Sequence, residues 1–249
     1  MRVDLGNNAN LAQKAVKTFW SNREKARQKK IESGTLDQGG RSVVTAGKNM
    51  DGFIEYFINL LRDSGLSGAK FYQRRSDLIL PGHFRQSKLW DFLVICDGKL
   101  AAAIELKSQV GPSFGNNFNN RVEEAIGTAY DFWTAYKDGN IKCHPDPFLG
   151  WLMLVEDTEA SRKSAGVKTS SLSTNLGLNP LSYLDRYEIF CQKAMTSKLY
   201  TAAALVVSGK DAINSGEYRD ISQETSLKTF SESLLMHIAR FPQSSNESI

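Results

Sequence analysis

The stretch KLWDFLVICDGKLAAAIELKSQ, residues 88–109, leaves the chain little choice of local structure. Two apolar runs flank Asp97-Gly98, a pair that accepts positive φ and so closes a tight reversal; the segment therefore reads as a β-hairpin. Strand side chains alternate between faces. Even-numbered Trp90, Phe92, Val94, Leu100, Ala102, Ile104 and Leu106 fall on one apolar face. Odd-numbered positions carry Asp91, Lys99, Glu105 and Lys107, with Leu93, Ile95, Ala101 and Ala103 between them. Register decides whether the charged groups meet. A two-residue loop, Asp97-Gly98, pairs 96 with 99 and 91 with 104, which puts Asp91 on the face opposite Glu105. A three-residue loop, Cys96-Asp97-Gly98, pairs 95 with 99 and 91 with 103, which gathers Asp91, Glu105 and Lys107 on one face. That loop wants a left-handed residue in third place, where Gly98 stands. The three-residue loop is the expectation; a two-residue register without a compensating bulge counts against a shared site.

Unpaired buried charge is costly, so two carboxylates and an ammonium in so apolar a hairpin must pair with one another, bind a cation or face water. Two carboxylates suit a hard divalent ion such as Mg²⁺, which keeps waters and takes further oxygens from a phosphate. Such an ion lowers the pKa of a bound water and neutralises charge on a scissile phosphate. Lys107 would orient or help deprotonate that water and stabilise developing negative charge. The bare pattern, an Asp, thirteen residues, then Glu-Leu-Lys, is weak. A salt-bridged polar face accounts for it equally well. A second acid-x-Lys match, Asp97-Gly98-Lys99, belongs to the turn.

Around this hairpin, residues 8–32 read as a helix with Leu11, Ala15, Phe19 and Ala26 on one side. Residues 33–47 read as a glycine-rich loop, and 48–63 as a helix with Met50, Ile54, Phe57, Ile58 and Leu61 at core spacing. Strands are expected near 70–74, 90–95 and 99–107, a helix from Arg121 to about Lys137, and buried strands at 148–157 and 201–208. A polar loop at 162–180, a helix at 181–196 and a last helix over 223–240 complete the chain, which ends in a polar, frayed tail. This order predicts an α/β fold around one mixed sheet, a single domain with 1–47 as an N-terminal helical extension, 48–208 as the catalytic core and 209–249 as a C-terminal helix and tail. Cys96, Cys143 and Cys191 form no CxxC pair and have no histidine at ligand spacing, which argues against zinc and disulfides and for a reducing, cytoplasmic setting. The N-terminus lacks the apolar core of a secretion signal, and no run is long enough to span a membrane. A net charge of +4 is compatible with nucleic acid but decides little.

The segment WDFLVICDGKLAAAIELKSQVGPSFGNNFNNRVEEAIGTA resembles the XhoI-type Type II restriction endonucleases, members of the PD-(D/E)xK nuclease superfamily. GKNMDGF (47–53), LILPGHFRQSKLWD (78–91), GWLMLVED (150–157) and, more loosely, SYLDRYEIFC (182–191) extend the resemblance to about residues 40–195. It implies a PD-(D/E)xK restriction-endonuclease-like fold, a mixed central β-sheet flanked by helices. It also implies a homodimer that uses Mg²⁺ to cut double-stranded DNA at the palindrome CTCGAG, after the first C on each strand, leaving 5′ overhangs. A cognate DNA methyltransferase would protect the same site in the host. Asp91, Glu105 and Lys107 match the superfamily's Asp, Glu and Lys, with Asp91 and Glu105 as metal ligands; Trp90 stands where the superfamily has its nominal proline. The superfamily often adds a helix carboxylate. Glu55 is the first candidate and Asp51 the second, although a solvated helix face explains either.

GPSFGNNFNNR (111–121) follows the acidic strand. Asn and Gly are ordinary loop and cap residues, and Asn120 could cap a helix starting at Arg121. Asn also reads adenine, and Arg guanine, in the major groove. Gln109, Asn116, Asn117, Asn119 and Arg121 are accordingly the candidate base-reading residues. Arg85 and Lys88, with Arg74-Arg75, are candidates for phosphate contact. The run REKARQKK (23–30) reads as a solvated helix face. Trp20, Trp90, Trp133 and Trp151 read as core or interface anchors. A palindromic target read by one small chain implies two-fold symmetry. The alternative is a structure-specific or recombination-related nuclease of the same superfamily, without base-sequence preference.

Overall fold

The computed structural model describes residues 8–34, 49–66, 69–72, 75–164 and 180–241. The loops expected at 33–47 and 162–180 lie largely outside these residues, as do the tail and Arg74. In chain order the helices are α1 (Asn8–Glu32), α2 (Asp51–Asp63), α3 (Phe114–Lys137), α4 (Glu159–Arg162), α5 (Tyr183–Thr196), α6 (Ala212–Ser215) and α7 (Leu227–Ile238). The strands are β1 (Ala69–Tyr72), β2 (Ile79–Pro81), β3 (Ser87–Leu89), β4 (Phe92–Cys96), β5 (Lys99–Gln109), β6 (Phe148–Glu156), β7 (Ala202–Ser208) and β8 (Arg219–Asp220). Six of them form one mixed sheet in the order β1-β4-β5-β6-β7-β8, while β2 and β3 pair as a separate hairpin. β5, β6 and β7 run parallel; β4 pairs antiparallel with both β1 and β5.

Every residue of β6 and β7 is buried, as expected of parallel strands covered on both faces. On one face, α1, α2 and α7 bury Phe19, Phe57 and Phe230 against Phe92, Ile104 and Leu152. Phe57 stacks on Phe92 with ring centres 5.9 Å apart. The segment expected as an N-terminal extension is part of this layer: Ala12, Ala15, Val16 and Phe19 form its buried stripe, and Trp20 Nε1 donates to Ser208 Oγ at 3.1 Å. On the other face, α3 and α5 bury Ala129, Phe132, Leu184 and Tyr187 against Leu93, Ala103, Trp151 and Leu205. Both are crossover helices, α3 between β5 and β6 and α5 between β6 and β7. Among the described residues no helix is long and apolar enough to cross a membrane.

The central hairpin departs from expectation in an informative way. Its loop has two residues, Asp97 (φ 48°) and Gly98 (φ 69°), with Cys96 opposite Lys99. Cys96 cannot join the loop because it is fully buried and its other edge pairs with Ala69 of β1. The ladder then shifts: Ile95 faces Leu100, but Val94 faces Ala102, leaving Ala101 as a bulge. Past the bulge Leu93 faces Ala103 and Phe92 faces Ile104, so continuing the register brings Asp91 opposite Glu105. The expected three-residue loop is wrong; the bulge restores the parity that loop was invoked to supply. The bulge also moves Leu100 off the face assigned to it, into the α3 layer, while Ala101 joins Ala102 on the other; Trp90, separated from β4 by the bend at Asp91, packs with the α3 layer as well.

α3 starts at Phe114, seven residues before the expected Arg121. Tertiary contacts explain the extension: Phe114 stacks on Tyr183 (5.7 Å) and Phe118 meets Tyr187 edge-on (4.9 Å), a pair four residues apart that faces α5. The Asn-rich stretch is thereby the first turns of a helix rather than a loop. The β2–β3 hairpin, β8 and the short helices α4 and α6 are also additions to the predicted set.

Candidate active site

β5 carries Glu105 and Lys107 two residues apart, hence on one face, and that face is the α3 side. Leu106 between them turns its side chain to the opposite core and donates its N–H to Asp91 Oδ2 at 2.8 Å. Asp91, just before β4, is thereby held against the middle of β5. Glu105 is buried, and an ammonium meets each of its oxygens: Lys107 pairs with Oε1, and Lys88 Nζ lies 2.7 Å from Oε2. Lys88 reaches in from β3, its ammonium 4.8 Å from the centre of the Trp90 ring.

The charges are coupled. Burial pushes the Asp91 carboxyl up and the negative charge of Glu105 pushes it further, to about 6, against the Leu106 N–H, Lys107 and Lys88. Burial also opposes ionisation of Glu105, but Lys107 and Lys88 together outweigh it and its carboxyl is held below the usual range. For Lys107 burial acts downward, and Glu105, joined by Asp91, more than reverses it, so Lys107 is a firmly held cation. A lysine in that state is suited to stabilising negative charge rather than to accepting a proton from water.

Two oxygen donors of this kind fit Mg²⁺. A carboxylate that resists ionisation only because of burial and a like charge beside it lacks one thing, a nearby cation of sufficient charge. Asp91 and Glu105 would hold such an ion, with waters and phosphate oxygens completing its shell. Among the described residues, no group of three His, Cys, Asp or Glu is set to hold a metal unaided. Both candidates for the extra carboxylate lie on α2. Glu55 lies on α2, in the layer on the other side of the sheet, and is 58% exposed with Lys14 3.7 Å away. Asp51 is in the first turn of the same helix.

The expected DNA contacts divide. Asn116 and Asn119 are exposed on the first turns of α3, one turn apart, with Asn117 half-buried between them. Arg121 lies a turn further on, close enough to Lys107 to influence its charge, and is paired with Glu124 at 2.6 Å. Gln109, expected at the DNA, is buried instead. Its amide nitrogen donates to the Phe114 carbonyl at 3.1 Å, and its oxygen accepts from the Tyr187 hydroxyl. The reason is its place at the end of an interior strand, where the amide ties the first turn of α3 to Tyr187 of α5. Arg85 is tied to Asp131 at 2.7 Å. Lys88, expected on a phosphate, is on Glu105. Sequence reasoning missed that pairing, although Lys88 and Trp90, two apart in an extended segment, offered a sign that the ammonium lies on the indole.

The register makes a prediction. Residues 101–103 are three alanines, and removing any one of them yields the same sequence. The shortened strand can pair Ile95 with Leu100 and Val94 with the next alanine without a bulge, leaving every later side chain on its present face. The deletion variant should fold, with stability within about 2 kcal/mol of the parent in urea unfolding. Insoluble or unfolded protein would show that the bulge itself is required.

A family model described as "Restriction endonuclease XhoI" matches residues 29–220. The Type II restriction enzyme AbrI of Azospirillum brasilense is 56% identical over 163 residues, covering 66% of this chain and 73% of that protein. The Type II restriction enzyme BstVI of Geobacillus stearothermophilus is 41% identical over 208 residues, covering 82% and 92%. The Type II restriction enzyme XhoI of Xanthomonas vasicola is 46% identical over 195 residues, covering 78% and 77%. No solved structure matches the chain significantly. A mixed sheet flanked by helices, an acid-acid-lysine cluster on its central hairpin and relatives of this closeness lead to one assignment: the chain belongs to the XhoI family of Type II restriction endonucleases.

Proposed function

We propose that this protein is a homodimeric restriction endonuclease that cuts double-stranded DNA within CTCGAG, after the first C of each strand, with Mg²⁺ held by Asp91 and Glu105. The observation that carries the reading is the meeting of Asp91, Glu105 and Lys107 beside the start of a helix that exposes Asn116 and Asn119. The ion would supply an ionised water and neutralise charge on the scissile phosphate. The protein's own part is positional and electrostatic. The Leu106 N–H fixes Asp91, and Lys107, two residues along the strand from Glu105, presents a positive charge where a phosphate oxygen gains negative charge. Asn116, Asn117 and Asn119 enter the major groove from the N-terminal turns of α3, and Arg121 must leave Glu124 to reach a base. Two copies related by a two-fold axis would each cut one strand of the palindrome. A methyltransferase modifying the same sequence would protect the host, and the cytoplasm, where that DNA lies, is the proposed setting.

Digestion of a plasmid of known sequence in Mg²⁺, with the ends mapped, tests this. Discrete fragments ending in 5′ overhangs at CTCGAG are the expected result. Discrete cuts at another sequence would retain the enzyme class and reject the target. A smear, or cleavage confined to junctions, would favour a nuclease without base preference.

A further inference from the structure

Glu105 lies between two ammonium groups from different parts of the fold. Lys107 is its neighbour on β5, so its presence follows from strand alternation. Lys88 is delivered by a separate element, the β2–β3 hairpin, and the delivery is built in detail. Buried Asp131 of α3 accepts from the backbone N–H groups of His83 (2.9 Å) and Phe84 (2.7 Å) and from Arg85 Nε (2.7 Å). His83 Nδ1 lies 2.5 Å from Asp138 Oδ2, which pins the same turn to the end of α3. At the other end of the hairpin Trp90 N–H donates to the Leu78 carbonyl at 2.8 Å. Between these anchors Lys88 is drawn inward until only 13% of its side chain is exposed. A lysine serving only DNA phosphates would keep its hydrated head in solvent along the protein surface. This one is seated at a carboxylate oxygen, and its charge also reaches Asp91.

We propose that Lys88 is a positioning residue: its ammonium occupies the cation position at Glu105 Oε2 in the metal-free protein, and a divalent ion enters by displacing it toward the DNA phosphate. The inference rests on the reading of Asp91 and Glu105 as the metal-holding pair. It makes metal and Lys88 competitors for one oxygen, so metal-free Glu105 is kept in place, and full loading is coupled to the arrival of a phosphate that gives the displaced ammonium a new partner.

The test is a titration of the full-length protein with Mn²⁺, without DNA, followed by the electron paramagnetic resonance of the free ion. Wild type, Lys88→Met, Lys88→Arg and Glu105→Gln are compared, with circular dichroism confirming the fold and Lys88→Gln replacing Lys88→Met should the latter unfold. Competition predicts that Lys88→Met binds Mn²⁺ on the order of tenfold more tightly than wild type, and that Lys88→Arg stays near wild type. In cleavage assays Lys88→Met should reach half its maximal rate at lower metal concentration while that maximal rate falls. A role confined to phosphate contact or packing moves neither the Mn²⁺ dissociation constant nor the half-saturation point downward. Unchanged or weaker Mn²⁺ binding by Lys88→Met, with binding still abolished by Glu105→Gln, would overturn the role of Lys88 alone. Binding that is undetectable in both wild type and Lys88→Met, or indifferent to Glu105→Gln, would overturn the metal pair and the proposal with it.

Discussion

Glu105→Gln should lower DNA cleavage by at least about 10³-fold, and Lys107→Ala by a comparable factor, while both variants stay folded and still bind the recognition sequence. Glutamine keeps the size of Glu105 and can still offer Lys107 or Lys88 an oxygen, but it removes the charge that both lysines and a divalent ion require. The variant is expected to lose some stability, because two partly buried ammoniums lose their shared anion. Lys107→Ala has the opposite electrostatic effect, leaving Glu105 with Lys88 as its cation. Gel-shift titration in Ca²⁺ alongside single-turnover cleavage in Mg²⁺ separates binding from chemistry. Cleavage by either variant at more than a tenth of the wild-type rate would remove these residues from the reaction.

Asp91→Asn should also abolish cleavage, yet make the metal-free protein more stable at pH 8. The folded-state pKa of Asp91 is raised to about 6, against about 3.9 for an unfolded chain. A raised pKa means that the folded state holds the proton more tightly. The resulting stability is fully present below about pH 4 and is lost as pH rises through about 6. Above that the ionised group costs about 2–3 kcal/mol, an order-of-magnitude figure from a shift of about two units. Asparagine cannot ionise, and its oxygen can still accept the Leu106 N–H. The melting temperature of Asp91→Asn should therefore match wild type near pH 4 and exceed it by roughly 5 °C at pH 8 without metal. Mg²⁺ should close that gap by stabilising wild type alone. A variant that melts below wild type at pH 8 would mean that Asp91 is not held against an unfavourable field.

Both expectations depend on a geometry the sequence could describe only in part. Alternation along 88–109 identified the charged residues and stated what their meeting required, because side-chain parity is a local property of a strand. The means of meeting that requirement was not local. Cys96 is bound into the ladder by β1, far along the chain, and this tightens the loop to two residues; the bulge at Ala101 follows as the compensation. Lys88 likewise reads as an ordinary basic residue until the hairpin carrying it is pinned by Asp131, which lies more than forty positions away in sequence. The extra turns of α3 have the same origin, since Phe114 and Phe118 become helical neighbours by packing on α5.

The sequence by itself determined the chemistry available to this protein: two carboxylates and a lysine at strand spacing, the helices and strands with strong apolar periodicity, and the family those residues resemble. These are carried by residue type and by intervals of two to four, which physics ties to single elements. Only the tertiary structure decided which residues share the site. It withdrew Gln109 into the core, left Glu55 in the far layer, turned the Asn-rich segment into a helix and brought Lys88 onto Glu105. Each of those outcomes depends on contacts between distant segments, where burial and pairing of charge outweigh local preference.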